Sequence, residues 1–199
     1  AVSDNDNIGV KLALKNPCND FKAVNGSAVT MTSAAKGSAI VVGTLGSSTL
    51  IDQLAKQGKI DARQLKGKTE KYIITIVDGK LIIAGSDRRG TIYGIYELSR
   101  QIGVSPWYYW MDVPVAKHKD IYVNNGIYTD GEPAVRYRGI FLNDEAPCLT
   151  TWVKNTFGTN YGGHKFYEKV FELLLRLKGN YIWPAMWGWA FYADDPLNS

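Results

Sequence analysis

Sulfur and histidine are scarce in this chain of 199 residues, which holds two cysteines, three methionines and two histidines. Cys18 and Cys148 have no metal-ligand spacing, and His118 and His164 have no cysteine or histidine partner at such spacing. No metal site is therefore expected, and the two thiols read either as free groups or as one long-range disulfide. Long apolar runs are also missing: nothing approaches the roughly 18–20 residues that span a bilayer, so no membrane partner is expected. Charge of one sign is not concentrated, because 23 basic residues face 19 acidic ones and the basic residues are scattered along the chain. A net charge of +4 without a basic patch argues against nucleic-acid binding. A Gly-x-Ser-x-Gly nucleophile elbow is absent. The turn Gly43-Thr44-Leu45-Gly46-Ser47-Ser48 lacks both the lysine of a P-loop and the three-glycine dinucleotide spacing. No cofactor is expected, and a nucleotide-binding reading rests on that turn alone.

Aromatic residues are plentiful, with 6 Trp and 12 Tyr, and every Trp lies beyond residue 106. Rings with apolar faces and polar tips suit a wet surface for a flat ligand, and sugars are the usual such ligand. At 45% hydrophobic and 21% charged residues the chain is of ordinary globular composition, which excludes disorder and coiled coil. The first residues, AVSDNDN, carry no apolar signal core and read as a processed end. Asn25-Gly26-Ser27 is a glycosylation triplet, a hint of a secreted (extracellular or periplasmic) location.

The first half alternates strand and helix signals. Ala39–Thr44 is a β-branched run, followed by a helix that Ser47 or Ser48 can cap and Gly58 ends. Tyr72–Val77 and Lys80–Ala84 flank Asp78-Gly79, a strong hairpin signal. Asp87 caps a helix over about 88–102 that stops at Gly103. Gly90 and Gly94 lie one turn apart on it, so that face can press close to a sheet. Lys119–Val123 reads as a last strand, Asn124-Asn125-Gly126 as a turn, and Gly131-Glu132-Pro133 as a linker. The expected division is a small N-terminal α/β domain, 1–133, and a second region, 134–199.

The second region starts with a strand over 137–142 that ends in Asn143-Asp144-Glu145. A helix over about 150–157, a glycine loop and an amphipathic helix over 164–178 follow. That last helix is expected to turn Tyr167, Val170, Phe171, Leu174 and Leu177 inward and the pair Glu172–Arg176 outward. Asn180–Pro184 is the next strand. Strand, helix and strand make a parallel βαβ unit. A (β/α)8 barrel takes about 250 residues, so the region has room only for its first strands and helices, and the chain reads as truncated. Three polar side chains after a strand read as a site, because barrel active sites are built at the carboxyl ends of strands. The alternative is that Asp144 caps a turn and Glu145 starts a helix. Trp183, Trp187 and Trp189 follow the second strand and read either as sugar platforms or as core. Trp107–Trp110 reads as a plug between domains.

Over Arg136–Pro147, Phe166–Lys178 and Asn180–Trp187 the chain resembles glycoside hydrolase family 115, the xylan α-1,2-glucuronidases. Gly85–Tyr96 and Ser105–Trp110 are similar to it as well, so the likeness runs over about 39–192. The resemblance implies an N-terminal α/β domain before a catalytic (β/α)8 barrel, then helical and β domains. It also implies release of glucuronic acid, or its 4-O-methyl ether, from xylan with inversion. Inversion needs a general acid and a base about 6.5–9.5 Å apart with a water between them. On this reading the pair lies on later barrel strands past residue 199, and the chain alone is inactive. Glu145 is the one candidate for a catalytic contribution, while Asn143, Asp144, Trp183 and Trp187 are candidates for binding substrate. The partners implied are glucuronoxylan and the remaining domains of the same enzyme. The chain departs from the family in stopping early and in placing Cys148 where a small residue is expected. A non-catalytic carbohydrate-binding or scaffold role is the alternative.

Overall fold

In the computed structural model, which describes residues 1–198, the chain opens with two helices, α1 (Ile8–Ala13) and α2 (Lys15–Asn25). After them come β1 (Ile40–Thr44), α3 (Thr49–Lys56), β2 (Tyr72–Val77), β3 (Lys80–Gly85), α4 (Arg88–Gln101) and a short β4 (Ile127–Tyr128). These belong to a first compact unit, Ala1–Ala134. Its sheet has the order β1-β3-β2-β4, with β1 parallel to β3 and β2 antiparallel to both of its neighbours. Val2 forms a further parallel bridge to Val42, so the first residues extend the sheet beyond β1.

Local chemistry explains these elements. Asp78 and Gly79 both take left-handed backbone, φ 50° and 72°, the geometry of a tight hairpin whose twist matches its strands. Ser48 accepts a hydrogen bond from Ile51 N–H and caps α3, and Asp87 does the same for α4 from Gly90 N–H. One face of the sheet packs Val41, Ile73, Ile82 and Ala84 against Ile51, Ile60 and Leu65. On α4, a Cβ at Gly90 would stand 2.2 Å from the Lys71 carbonyl oxygen, and one at Gly94 2.7 Å from the Ile83 side chain. The two glycines thus let the helix lie directly on the strands.

Lys119–Val123 is irregular rather than a strand. The edge of β2 is taken instead by Ile127 and Tyr128, beyond the bend at Asn125-Gly126, which turns the chain before pairing begins.

The second unit, Val135–Ser199, holds β5 (Gly139–Phe141), α5 (Cys148–Phe157), α6 (His164–Arg176), β6 (Tyr181–Trp183) and a single-turn α7 (Phe191–Asp194). β5 and β6 pair in parallel, with Gly139, Ile140 and Phe141 opposite Tyr181, Ile182 and Trp183. Only glycine fits at 139, since a Cβ there would stand 1.8 Å from the Tyr181 carbonyl oxygen. β5 is shorter than the 137–142 reading, and its residues are exposed rather than buried among the described residues.

α6 corrects two expectations. Glu172 and Arg176 are not on an outer face: they are 8% and 5% exposed, and Arg176 Nε donates to Glu172 Oε1 at 2.9 Å. Leu177 is exposed because the helix ends at Arg176 and leaves it on the cap, while Phe166, Tyr167, Val170, Leu173 and Leu174 are buried. Both cysteines are free.

Candidate functional site

The arrangement around β5 and β6 starts with Arg138 and Asn180. Arg138 N–H donates to Asn180 Oδ1 at 2.9 Å, Asn180 N–H returns a bond to the Arg138 carbonyl at 2.8 Å, and Arg138 Nε reaches the Lys178 carbonyl at 3.0 Å. Strand entry is thereby set by side chains as well as by the ladder. Leu142 N–H then donates to the Trp183 carbonyl at 2.8 Å, which carries the pairing one residue past β5. The polar triplet leaves from there.

Asn143 Nδ2 donates to Glu145 Oε1 at 2.5 Å, and its Oδ1 accepts from Asp144 N–H at 3.1 Å. Asp144 Oδ2 accepts from Gly188 N–H at 2.6 Å. Asp144 thus ties the segment after β5 to the segment after β6. Glu145 is exposed and caps no helix: α5 begins at Cys148 with Pro147 as its cap residue and no side-chain capping bond. The Glu145 carbonyl accepts from Thr150 N–H at 3.3 Å, which turns the chain into α5 while leaving the carboxylate to Asn143 and solvent.

Trp183 is 49% exposed and meets Phe141 edge-on, ring centroids 6.0 Å apart. Trp187 is 79% exposed. Both strands run the same way, so Asn143, Asp144, Glu145, Trp183 and Trp187 all fall at or just past their carboxyl ends.

Tyr161 and Tyr167, both within electrostatic reach of Asp144, are buried, and burial pushes both phenols up. These phenols do not titrate near neutrality. His164, the first residue of α6, has its N–H and its Nδ1 both on Asp195 Oδ2, at 2.8 and 2.6 Å. Bonds from His164 N–H, Leu197 N–H and the His164 ring hold the Asp195 carboxyl down to about 2. A carboxylate at a helix start also complements the helix dipole. The His164–Asp195 clip, which sequence reasoning missed, joins residues 31 apart with no local signal. Among the described residues no group of three or more His, Cys, Asp and Glu could hold a metal ion. No helix among them is long and apolar enough to cross a membrane.

The glycine turn after β1 is occupied by the chain itself. Thr44 N–H donates to Asp6 Oδ2 at 2.9 Å and Gly46 N–H to Asp52 Oδ1 at 2.8 Å. Amides that face internal carboxylates are not free to cradle a phosphate.

The model of glycosyl hydrolase family 115 matches residues 130–199, the stretch that carries this arrangement. A solved structure of a family GH115 4-O-methyl-alpha-glucuronidase, BtGH115A, with specificity for decorated arabinogalactans, is similar over 94% of the chain at 37% identity and a TM-score of 0.85. The chain matches an N-terminal portion of glycosyl hydrolase family 115. The likeness takes in 24% of that relative, so the chain spans about a quarter of its length. It also reaches beyond the stretch in which family 115 was legible from sequence. A search of curated proteins finds no match. The mixed α/β fold, a small sheet with helices, agrees with the N-terminal α/β part of what the sequence resemblance implied.

Proposed function

We propose that the chain forms part of an α-glucuronidase, a glycoside hydrolase that releases glucuronic acid or its 4-O-methyl ether from the side chains of a plant polysaccharide. The observation that carries the reading is the placement of Asn143, Asp144, Glu145, Trp183 and Trp187 at the carboxyl ends of two adjacent parallel strands, in a stretch that matches family 115. β5, the helices after it and β6 are the opening of a (β/α)8 barrel, whose active sites are built at that end. Glu145, exposed and aimed by Asn143, accepts bonds from sugar hydroxyls. Trp183 and Trp187 offer ring faces to the C–H surface of the sugar. The inverting acid and base are contributed by other strands of the family architecture. A polysaccharide substrate and the glycosylation triplet at Asn25 support a secreted location.

Glu145→Gln tests this in a product of the same gene that carries the inverting acid and base and releases glucuronic acid. Release of glucuronic acid is measured on glucuronoxylan and on glucuronic-acid-decorated arabinogalactan, which also decides between the two polymers. Activity is expected to fall at least tenfold, about 1.4 kcal/mol of lost transition-state binding, with the melting temperature nearly unchanged. Equal activity in the variant sinks the role of Glu145. Binding of the polymers with no release by any product of the gene favours the carbohydrate-binding alternative.

A further inference from the structure

Asparagine is a thermolabile residue, most of all when glycine follows it, because a glycine has no Cβ to shield its backbone nitrogen from the asparagine side chain. That nitrogen attacks the asparagine Cγ, ammonia leaves and a succinimide ring forms. Water then opens the ring at either carbonyl, giving aspartate or isoaspartate. Ring closure needs a backbone that can leave helical geometry and a glycine N–H that no hydrogen bond holds. The chain has two such pairs, Asn25-Gly26 and Asn125-Gly126, and the fold treats them differently.

Asn25 is the last residue of α2, and Gly26 caps that helix with its N–H on the Lys22 carbonyl at 3.0 Å. The Asn25 side chain is engaged as well, its Oδ1 accepting from Ser27 N–H at 2.9 Å. Ring closure there requires the helix end to unwind and both bonds to break. The second pair stands open. Asn125 and Gly126 are exposed and lie in the bend ahead of β4, outside any helix or strand. Among the described residues, neither the Asn125 side chain nor the Gly126 N–H holds a hydrogen bond.

We propose that Asn125 is a site of spontaneous deamidation whose isoaspartyl product unseats β4. Isoaspartate carries the main chain through its Cβ, which adds a methylene to the backbone immediately before Gly126. Gly126 leads directly into β4, whose residues Ile127 and Tyr128 stand opposite Thr75 and Ile74 of β2. The bond from the Tyr128 hydroxyl to the Asn124 carbonyl, 3.0 Å long, spans the modified residue, so a longer backbone there moves its two ends apart. β4 is only two residues long and sits at the edge of the sheet, which leaves it little to resist the change.

The test is to keep the folded chain in warm, mildly alkaline buffer and to follow the peptides of a proteolytic digest by mass spectrometry. The peptide that holds Asn125 should gain one mass unit and resolve into aspartyl and isoaspartyl forms. The peptide that holds Asn25 should react at least tenfold more slowly. In denaturant the two rates should converge, because the fold is what separates them. Asn125→Gln, at an exposed position without a hydrogen bond, should keep the fold and abolish the change. In the isoaspartyl form, separated by its extra charge, amide exchange at Ile74 or Thr75 should be at least tenfold faster than in the fresh chain. The glutamine variant carried through the same incubation should match the fresh chain. Equal rates at the two asparagines of the folded chain overturn the site. So does an Asn125 peptide of unchanged mass after a time in which the denatured chain reacts fully. Unchanged exchange at both Ile74 and Thr75 in the isoaspartyl form overturns the effect on β4.

Discussion

The carboxylate of Asp144 and the backbone N–H of Gly188 meet at 2.6 Å, across 44 residues of sequence. That bond joins the two segments that leave the sheet at its carboxyl end. It therefore sets where Trp187 stands relative to Glu145 more directly than the strand ladder does. Bonds to an ionised acceptor contribute roughly 1.5–3 kcal/mol. Asp144→Ala should accelerate amide hydrogen exchange at Gly188 by about tenfold or more, while Asp144→Asn, which keeps an acceptor oxygen, should restore part of the protection. Unchanged exchange in the alanine variant shows that the loop is held by something else.

Gly90 makes a sharper case for packing. A methyl group there would sit 2.2 Å from the Lys71 carbonyl oxygen, a backbone atom that cannot rotate away. Overpacking of this kind costs typically 1–3 kcal/mol. Gly90→Ala should lower the stability of the first unit by at least that much, despite the better helix propensity of alanine. A melt at or above the wild-type temperature rules out the close contact.

Much of the first unit was legible because its signals are local. Asp78-Gly79 closes its hairpin, Ser48 and Asp87 cap their helices, and the Gly90–Gly94 face meets the sheet, each within a few residues of the feature it controls. Lys119–Val123 misled because its strand-like composition says nothing about whether a neighbour is available, and β2 had already taken Ile127 and Tyr128. The site was half legible. A polar triplet after a strand points to a carboxyl-end site, but the Asp144–Gly188 tether and the His164–Asp195 clip bridge distant residues and leave no periodic trace. Glu172–Arg176 shows the reverse failure: an i,i+4 charge pair is a surface signal only if the helix face is free, and here that face is packed.

That buried pair yields a stability prediction. Glu172 also receives Lys169 Nζ at 3.2 Å, but that lysine is partly exposed and screened, so Arg176 is its buried partner. Removing one member of a buried pair leaves an uncompensated charge and costs about 3–5 kcal/mol. Arg176→Met should destabilise the second unit on that scale, and Glu172→Gln combined with Arg176→Met should recover a clear part of the loss. A single variant that melts within a degree of wild type means the pair is effectively solvated.

Asp195 gives the pH signature of the second unit. Its carboxyl lies at about 2 in the folded chain against an ordinary 3.8, held down first by the His164 N–H, then by the Leu197 N–H and the His164 ring. A carboxylate whose folded value is depressed contributes stability that is fully present above 3.8. That contribution is lost progressively as pH falls through the folded value. The His164 amide proton, bonded to Asp195 Oδ2 at 2.8 Å, is the direct reporter. Its chemical shift should titrate with a midpoint near 2, and the start of α6 should fray only below that point. In Asp195→Asn the same amide should show no such transition, and helix protection at His164 should already be reduced at neutral pH. A wild-type midpoint at the ordinary aspartate value means that the carboxylate does not cap α6 in solution.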